Sequence, residues 1–278
     1  MERNLTTALV LEDDVDWDIR LKSQMQSFSL ASRAFLTDLD GTEEYPQPES
    51  LTSKAKDTNV FEAPYSTSHT TPYGEDWDIL WLGHVGADLP ADYKTGGNKN
   101  HPPRSLSVVT IPDDDTVPSP NHLKPHPFAD APDHFSELYP AHSRLVHESR
   151  ETIGAQGYAV SQRGARRLLW QFGVDSFTNG WDILMRDFCD GLYSGDKVEG
   201  TRPVCLTVQP PLVSHHYARG GESDIHGVGG GYMKKYGSPY IRHSVKLNMG
   251  TLVATGSLAP DEQARVKDQW PDDGKGSW

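Results

Sequence analysis

Three acids stand side by side in this chain, Glu12-Asp13-Asp14, and Asp16 follows closely. Adjacent carboxylates repel one another, and a bound divalent cation relieves that repulsion. An all-oxygen ligand set suits Mg2+ or Mn2+. Such ions commonly take one or two carboxylates and complete their shell with substrate phosphates. The competing reading is a solvated acidic turn leading into a helix cap. Asp182 lies in Asn179-Gly180-Trp181-Asp182, at the start of a predicted helix, where an acid is also favoured by the helix dipole. Trp181 beside it offers either an apolar face to a ligand or a core side chain. His215 and His216 follow a predicted strand and read as ligands or as an ordinary surface pair.

A second acidic motif competes. Asp38-Leu39-Asp40-Gly41-Thr42 matches the nucleophile motif of haloacid dehalogenase-type phosphatases. There the first Asp attacks phosphorus and the second acts as acid/base. Its surroundings are wrong for that role. The preceding residues read as helix rather than strand, and two prolines follow at Pro46 and Pro48.

The elements that must position these groups come in islands. Ala8-Leu9-Val10-Leu11 is a short apolar run, expected to be a buried strand ending at the acidic triplet. Apolar residues at helical spacing predict a helix from Trp17 to about Phe35, with Asp16 or Asp18 capping its start. Residues 40–76 shift to Pro, Ser, Thr and Glu and read as a loop insertion. A second buried strand is expected over 78–83. A further Pro- and His-rich insertion spans 88–142, interrupted by an edge strand over 106–111.

The second ordered block is denser. It opens with a strand over Gly157–Ser161, followed by a helix from Gln162 to Trp170 with Ser161 as N-cap. A helix opening at Asn179–Asp182 ends near Gly191, and a strand covers 204–208. Residues 241–253 form either a helix or an extended segment. The tail after Gly256 is polar and is expected to be loose. Strands alternating with helices predict an α/β layered domain over 1–255, with ligands beyond the carboxyl ends of the strands.

Composition narrows the function. With 39 acids against 26 Lys and Arg, the formal charge is −13. That argues against a nucleic-acid backbone or an anionic membrane surface as partner, but not against a nucleotide held through a metal. The apolar fraction is 36%, and 25 Gly and 20 Pro point to much loop. No run has the roughly 18 apolar residues of a membrane span. Cys189 and Cys205 cannot make a disulfide framework; they are expected as two buried thiols, with one bridge as the alternative. Asn4-Leu5-Thr6 fits a glycosylation sequon, a short match of little weight.

The ordered set ALVLEDDVDWD (8–18), WDILWLGH (77–84), GYAVSQRGARRLL (157–169), NGWDILMRDFCDG (179–191), CLTVQPPLVSHH (205–216) and GGGYMKKYGSPYIRHSVKLN (229–248) resembles glycosyltransferase family 25, most closely its fungal members. The family includes lipopolysaccharide and collagen galactosyltransferases. The resemblance implies a GT-A type fold, a Rossmann-like mixed sheet flanked by helices, with two long loop insertions and without the family's opening strand before Met1. It also implies inverting transfer of a sugar, expected to be galactose, from a UDP-sugar donor to a hydroxyl of a glycan or glycoprotein acceptor. By that resemblance Glu12 and Asp14 hold Mn2+ (or Mg2+) on the diphosphate, with Asp13 beside them. His215 or His216 is an added metal or diphosphate ligand, and Arg219 neutralises a phosphate. Inversion needs a base opposite the leaving group. Asp182 is the candidate, Asp175 its substitute, and Trp181 faces the sugar. Gly227–Gly231 would be a closing loop. An absent opening strand would leave an inactive or binding-only fragment as the alternative, with an unpaired sheet edge.

Overall fold

The computed structural model describes residues 5–39, 57–63, 71–91, 102–123, 135–175, 177–193, 202–218, 236–255 and 265–274. Among them nine strands form one mixed sheet. They are β1 (Thr7–Leu11), β2 (Val15–Trp17), β3 (Asp57–Asn59), β4 (Ile79–Gly83), β5 (Val108–Ile111), β6 (Arg144–Glu148), β7 (Gly157–Ser161), β8 (Cys205–Gln209) and β9 (Val213–His215). The main order is β1-β7-β4-β8-β6-β5-β3, with β9 pairing both β4 and β2. The pairs β4–β8, β4–β9 and β3–β5 are parallel; the rest are antiparallel. Helices are α1 (Leu21–Leu39), α2 (Phe135–Leu138), α3 (Gln162–Leu168), α4 (Trp181–Cys189) and α5 (Val245–Thr255).

Strand alternation divides the central strand β4 between two apolar layers. Leu80 and Leu82 face α1, packing with Phe28, Phe35, Leu206 and Val208. Ile79 and Trp81 face the other side, where Leu168, Phe172, Leu184 and Phe188 cover them. The result is a mixed α/β architecture with helices on both faces of the sheet. α3 is capped as expected: Ser161 Oγ accepts from Gly164 N–H at 3.0 Å. Gly164 is demanded by packing, since a Cβ there would run into the Asp78 carbonyl oxygen. The helix continues as a π-helical segment, Leu169–Asp175. No helix among the described residues is long and apolar enough to cross a membrane.

Several expectations need correction. β1 is a strand, but not a buried one: all five residues are exposed, Leu9 by 58%. Among the described residues it pairs only with β7, at the end of the sheet, so a continuous apolar run marked a strand without marking an interior one. The strand expected at an edge, 106–111, is instead internal, with β5 between β6 and β3. α1 starts at Leu21, because Val15–Trp17 is taken by β2. Asp16 therefore faces the far end of the chain, whereas Asp18 also serves the lead-in to α1, its Oδ1 accepting from Arg20 N–H at 2.9 Å. Asp16 Oδ1 accepts from Lys246 N–H at 3.1 Å in the first turn of α5, and Asp18 Oδ2 from His243 N–H at 2.9 Å. The cysteines are not two thiols: Cys189 at the end of α4 is bonded to Cys205 in β8. The tail returns to the body over 265–274, where Arg242 pairs with Asp268 and Asp272.

Candidate active site

β1 delivers the acidic triplet. Its end is fixed by Glu12 N–H donating to Gln156 O at 3.1 Å. The chain then turns into β2, whose pairing with β9 places Val15 opposite His215. That register sets the His215 imidazole beside Asp14, with Nδ1 3.1 Å from Oδ2. Tyr217, two residues further on, stacks on His215 at a centroid distance of 4.3 Å.

α4 delivers the other carboxylate. Its N-cap is Gly180, which offers no side-chain cap, and Asp182 lies in the first turn. Asp182 Oδ2 accepts from Gly154 N–H at 3.2 Å. Gly154 has φ +86°, and a Cβ on it would come 2.7 Å from Val85 Cγ2, so the donor comes from a backbone site that favours glycine. Trp181 is half-buried at the margin of the second core and donates Nε1–H to Tyr158 Oη at 3.1 Å.

Electrostatics join these elements. Glu12 reaches solvent, yet its carboxyl is held above the ordinary glutamate value by partial burial, then by the charges of Asp14, Asp182 and Asp13. The triplet and the α4 acid thus share one field. Tyr158 is raised by burial and, further down, by Glu12, while the Trp181 hydrogen bond acts the other way. Tyr217 is raised by burial, then by Asp14. Asp14 Oδ1 is enclosed and has no hydrogen-bond partner among the described residues.

These features fit a divalent cation: an enclosed, unpartnered carboxylate oxygen, a neighbouring imidazole and an acid strained by like charges. The residues do not form a complete protein cage, since no group of three or more His, Cys, Asp or Glu side chains is gathered to hold a metal among the described residues. An ion taking one or two carboxylates and its remaining ligands from phosphate needs no such cage.

The structure brings together Glu12, Asp13, Asp14, Asp182 and His215, with Trp181 adjoining. His216 is engaged elsewhere: its Nδ1 lies 2.9 Å from Ser238 Oγ, and Ser238 also donates to Asp16. Burial lowers the His216 pKa. Asp175 ends the π-helical segment. Arg219, Gly227–Gly231, Asp40 and Asn4 lie outside the described residues. Asp38 sits in the last turn of α1, accepting from Ser107 Oγ at 2.9 Å, on a helix and not at a strand end. Sequence reading missed Gly154, Tyr158 and Tyr217. Tyr217 carried a usable signal, the two-residue spacing from His215 that puts alternate extended residues on one side. No protein-family model, curated protein or solved structure matches this chain.

Proposed function

We propose that the chain is a metal-dependent inverting glycosyltransferase of GT-A type, akin to glycosyltransferase family 25, that moves galactose from UDP-galactose to an acceptor hydroxyl. The observation that carries this reading is the enclosed Asp14 Oδ1, without a hydrogen-bond partner among the described residues, on a carboxylate whose Oδ2 lies 3.1 Å from the His215 imidazole; the like charges of Asp14 and Asp182 on Glu12 support it. Glu12, Asp14 and His215 would hold Mn2+ or Mg2+, with Asp13 and Arg219 serving the donor. When bound, the ion supplies Lewis-acid stabilisation of a diphosphate leaving group. Asp182 accepts the proton of the acceptor hydroxyl. The Gly154 amide holds its carboxylate in place at the start of α4. Trp181, steadied by Tyr158, presents an indole face to the sugar.

The test is transfer or hydrolysis of UDP-galactose with Mn2+, in the wild type and in Asp14→Ala. Turnover in the first and its loss in the second is the expected result. Failure of both proteins to bind the donor would end this reading. A non-catalytic binding module is the second reading, favoured by the exposed apolar edge of β1 beside the acidic turn. Calorimetry separates the two: Mn2+ binding without UDP binding favours the module.

A further inference from the structure

The described part of the tail makes one unusually complete join to the rest of the protein. Gln269 Oε1 accepts from Ser238 N–H at 3.1 Å, and its Nε2 donates to Ser238 O at 3.1 Å and also to Ile241 O. The side-chain amide thus reads the donor and acceptor of a single residue, as a neighbouring strand would. Trp270 Nε1 adds a 2.9 Å bond to Ser238 O. Gly237, next to it, has φ +130°, and a Cβ there would come 2.7 Å from Gln269 Oε1. Glycine is therefore what lets the amide approach.

From this turn a chain of contacts runs to the acidic site. Gly237 and Tyr217 exchange backbone hydrogen bonds of 2.9 and 3.0 Å. The Tyr217 ring lies on His215, tilted by 30°, and His215 faces Asp14. The Ser238 turn has a second anchor, because Ser238 Oγ donates to Asp16. Losing Gln269 would therefore leave the turn attached but free to shift, rather than unfold the domain.

We propose that Gln269 is a positioning residue: by gripping the Gly237–Ser238 turn it fixes the Tyr217 backbone, and so the ring that aims His215 at Asp14. The consequence for metal binding rests on the reading given under Proposed function; the consequence for His215 does not. The full chain is compared as wild type, Gln269→Ala, Tyr217→Leu and the double variant, all metal-free at one fixed alkaline pH. The His215 ring-proton NMR resonance reports the stacking. Mn2+ alone, titrated by electron paramagnetic resonance, reports affinity.

Gln269→Ala should move the His215 resonance toward its unstacked position and weaken Mn2+ binding about tenfold, as loss of a supporting partner of a metal-site histidine commonly does. Its thermal midpoint should fall by only a few degrees. Tyr217→Leu should reproduce both effects, and adding Gln269→Ala to it should change neither further. An unchanged His215 resonance in Gln269→Ala overturns the proposal, as does full additivity in the double variant. If the wild type binds no Mn2+, the metal reading fails, and the resonance arm still decides for or against Gln269.

Discussion

Asp182 and Glu12 carry opposite predictions, although both are acids in one field. Asp182 is held by the Gly154 amide, and under the proposed function it would take the acceptor's proton. Asp182→Asn keeps the shape and removes the base, so turnover should drop about 10²- to 10⁴-fold. UDP binding by calorimetry should stay within about twofold; an equal loss of both would assign Asp182 to donor binding instead. Glu12 is held above the ordinary glutamate value by partial burial and then by its acidic neighbours. Glu12→Gln should raise the metal-free melting temperature at neutral pH by about 1 °C, a small gain because the group is solvent-exposed. The same variant should bind Mn2+ more weakly. A melting temperature that falls would mean the carboxylate has a stabilising partner. The triplet that holds Glu12 stands out by the adjacency of its acids, whereas Asp182 is singled out through the family resemblance and its place at a helix start. Their proximity is not legible in the sequence, since it depends on β7, α4 and the Gly154 loop meeting at one end of the sheet.

The elements around the site depend on two close fits. α3 approaches β4 so tightly that Gly164→Ala should cost about 1–3 kcal/mol, measured by denaturant unfolding. Arg163 and Arg167 both bond the buried Asp78 carboxylate, so α3 cannot simply slide away. The disulfide fixes α4 in the same layer across a separation of 16 residues. Cys189→Ser with Cys205→Ser should cost about 3 kcal/mol, or roughly 6–12 °C in melting temperature. A double variant melting with the wild type would show that packing alone seats α4. Sequence pattern located β4, β7, α3, α4 and β8 because each is a local run of one period. It misjudged β1, since four apolar residues in a row define a strand but not how many neighbours that strand has. It also missed the docking of the tail, because Gln269 and Trp270 bind through side-chain amide and indole hydrogen bonds, which leave no apolar period.

For the molecule as a whole, acid should act in two stages. His147, His216 and His243 are each held below the ordinary histidine value, burial being the largest cause in every case. The unfolded chain takes up these protons near pH 6.5 or so, before the folded protein does. Their contribution is therefore present above about that pH and declines below it. Asp114 and Asp268 form the second stage. Burial alone would raise them, but Arg144 and Thr116 lower the first, and Arg242 and the Trp270 amide lower the second. Their contribution should persist until roughly pH 4 and then be lost. Glu12 acts in the opposite direction, as one exposed group against three histidines. Denaturation midpoints followed from pH 8 to pH 3 should show the first decline below about 6.5; a flat profile down to pH 5 would contradict it.

The bond between Cys189 and Cys205 has one more consequence, for how the chain breaks. Everything between those residues belongs to a covalent ring. A protease that cut one peptide bond inside the ring would leave both pieces tethered, and a denaturing gel without thiol would show one band of undiminished mass. Adding thiol would release two fragments. A cut outside the ring would separate its fragments with or without thiol, so paired gels would sort cleavage sites by which side of the ring they fall on.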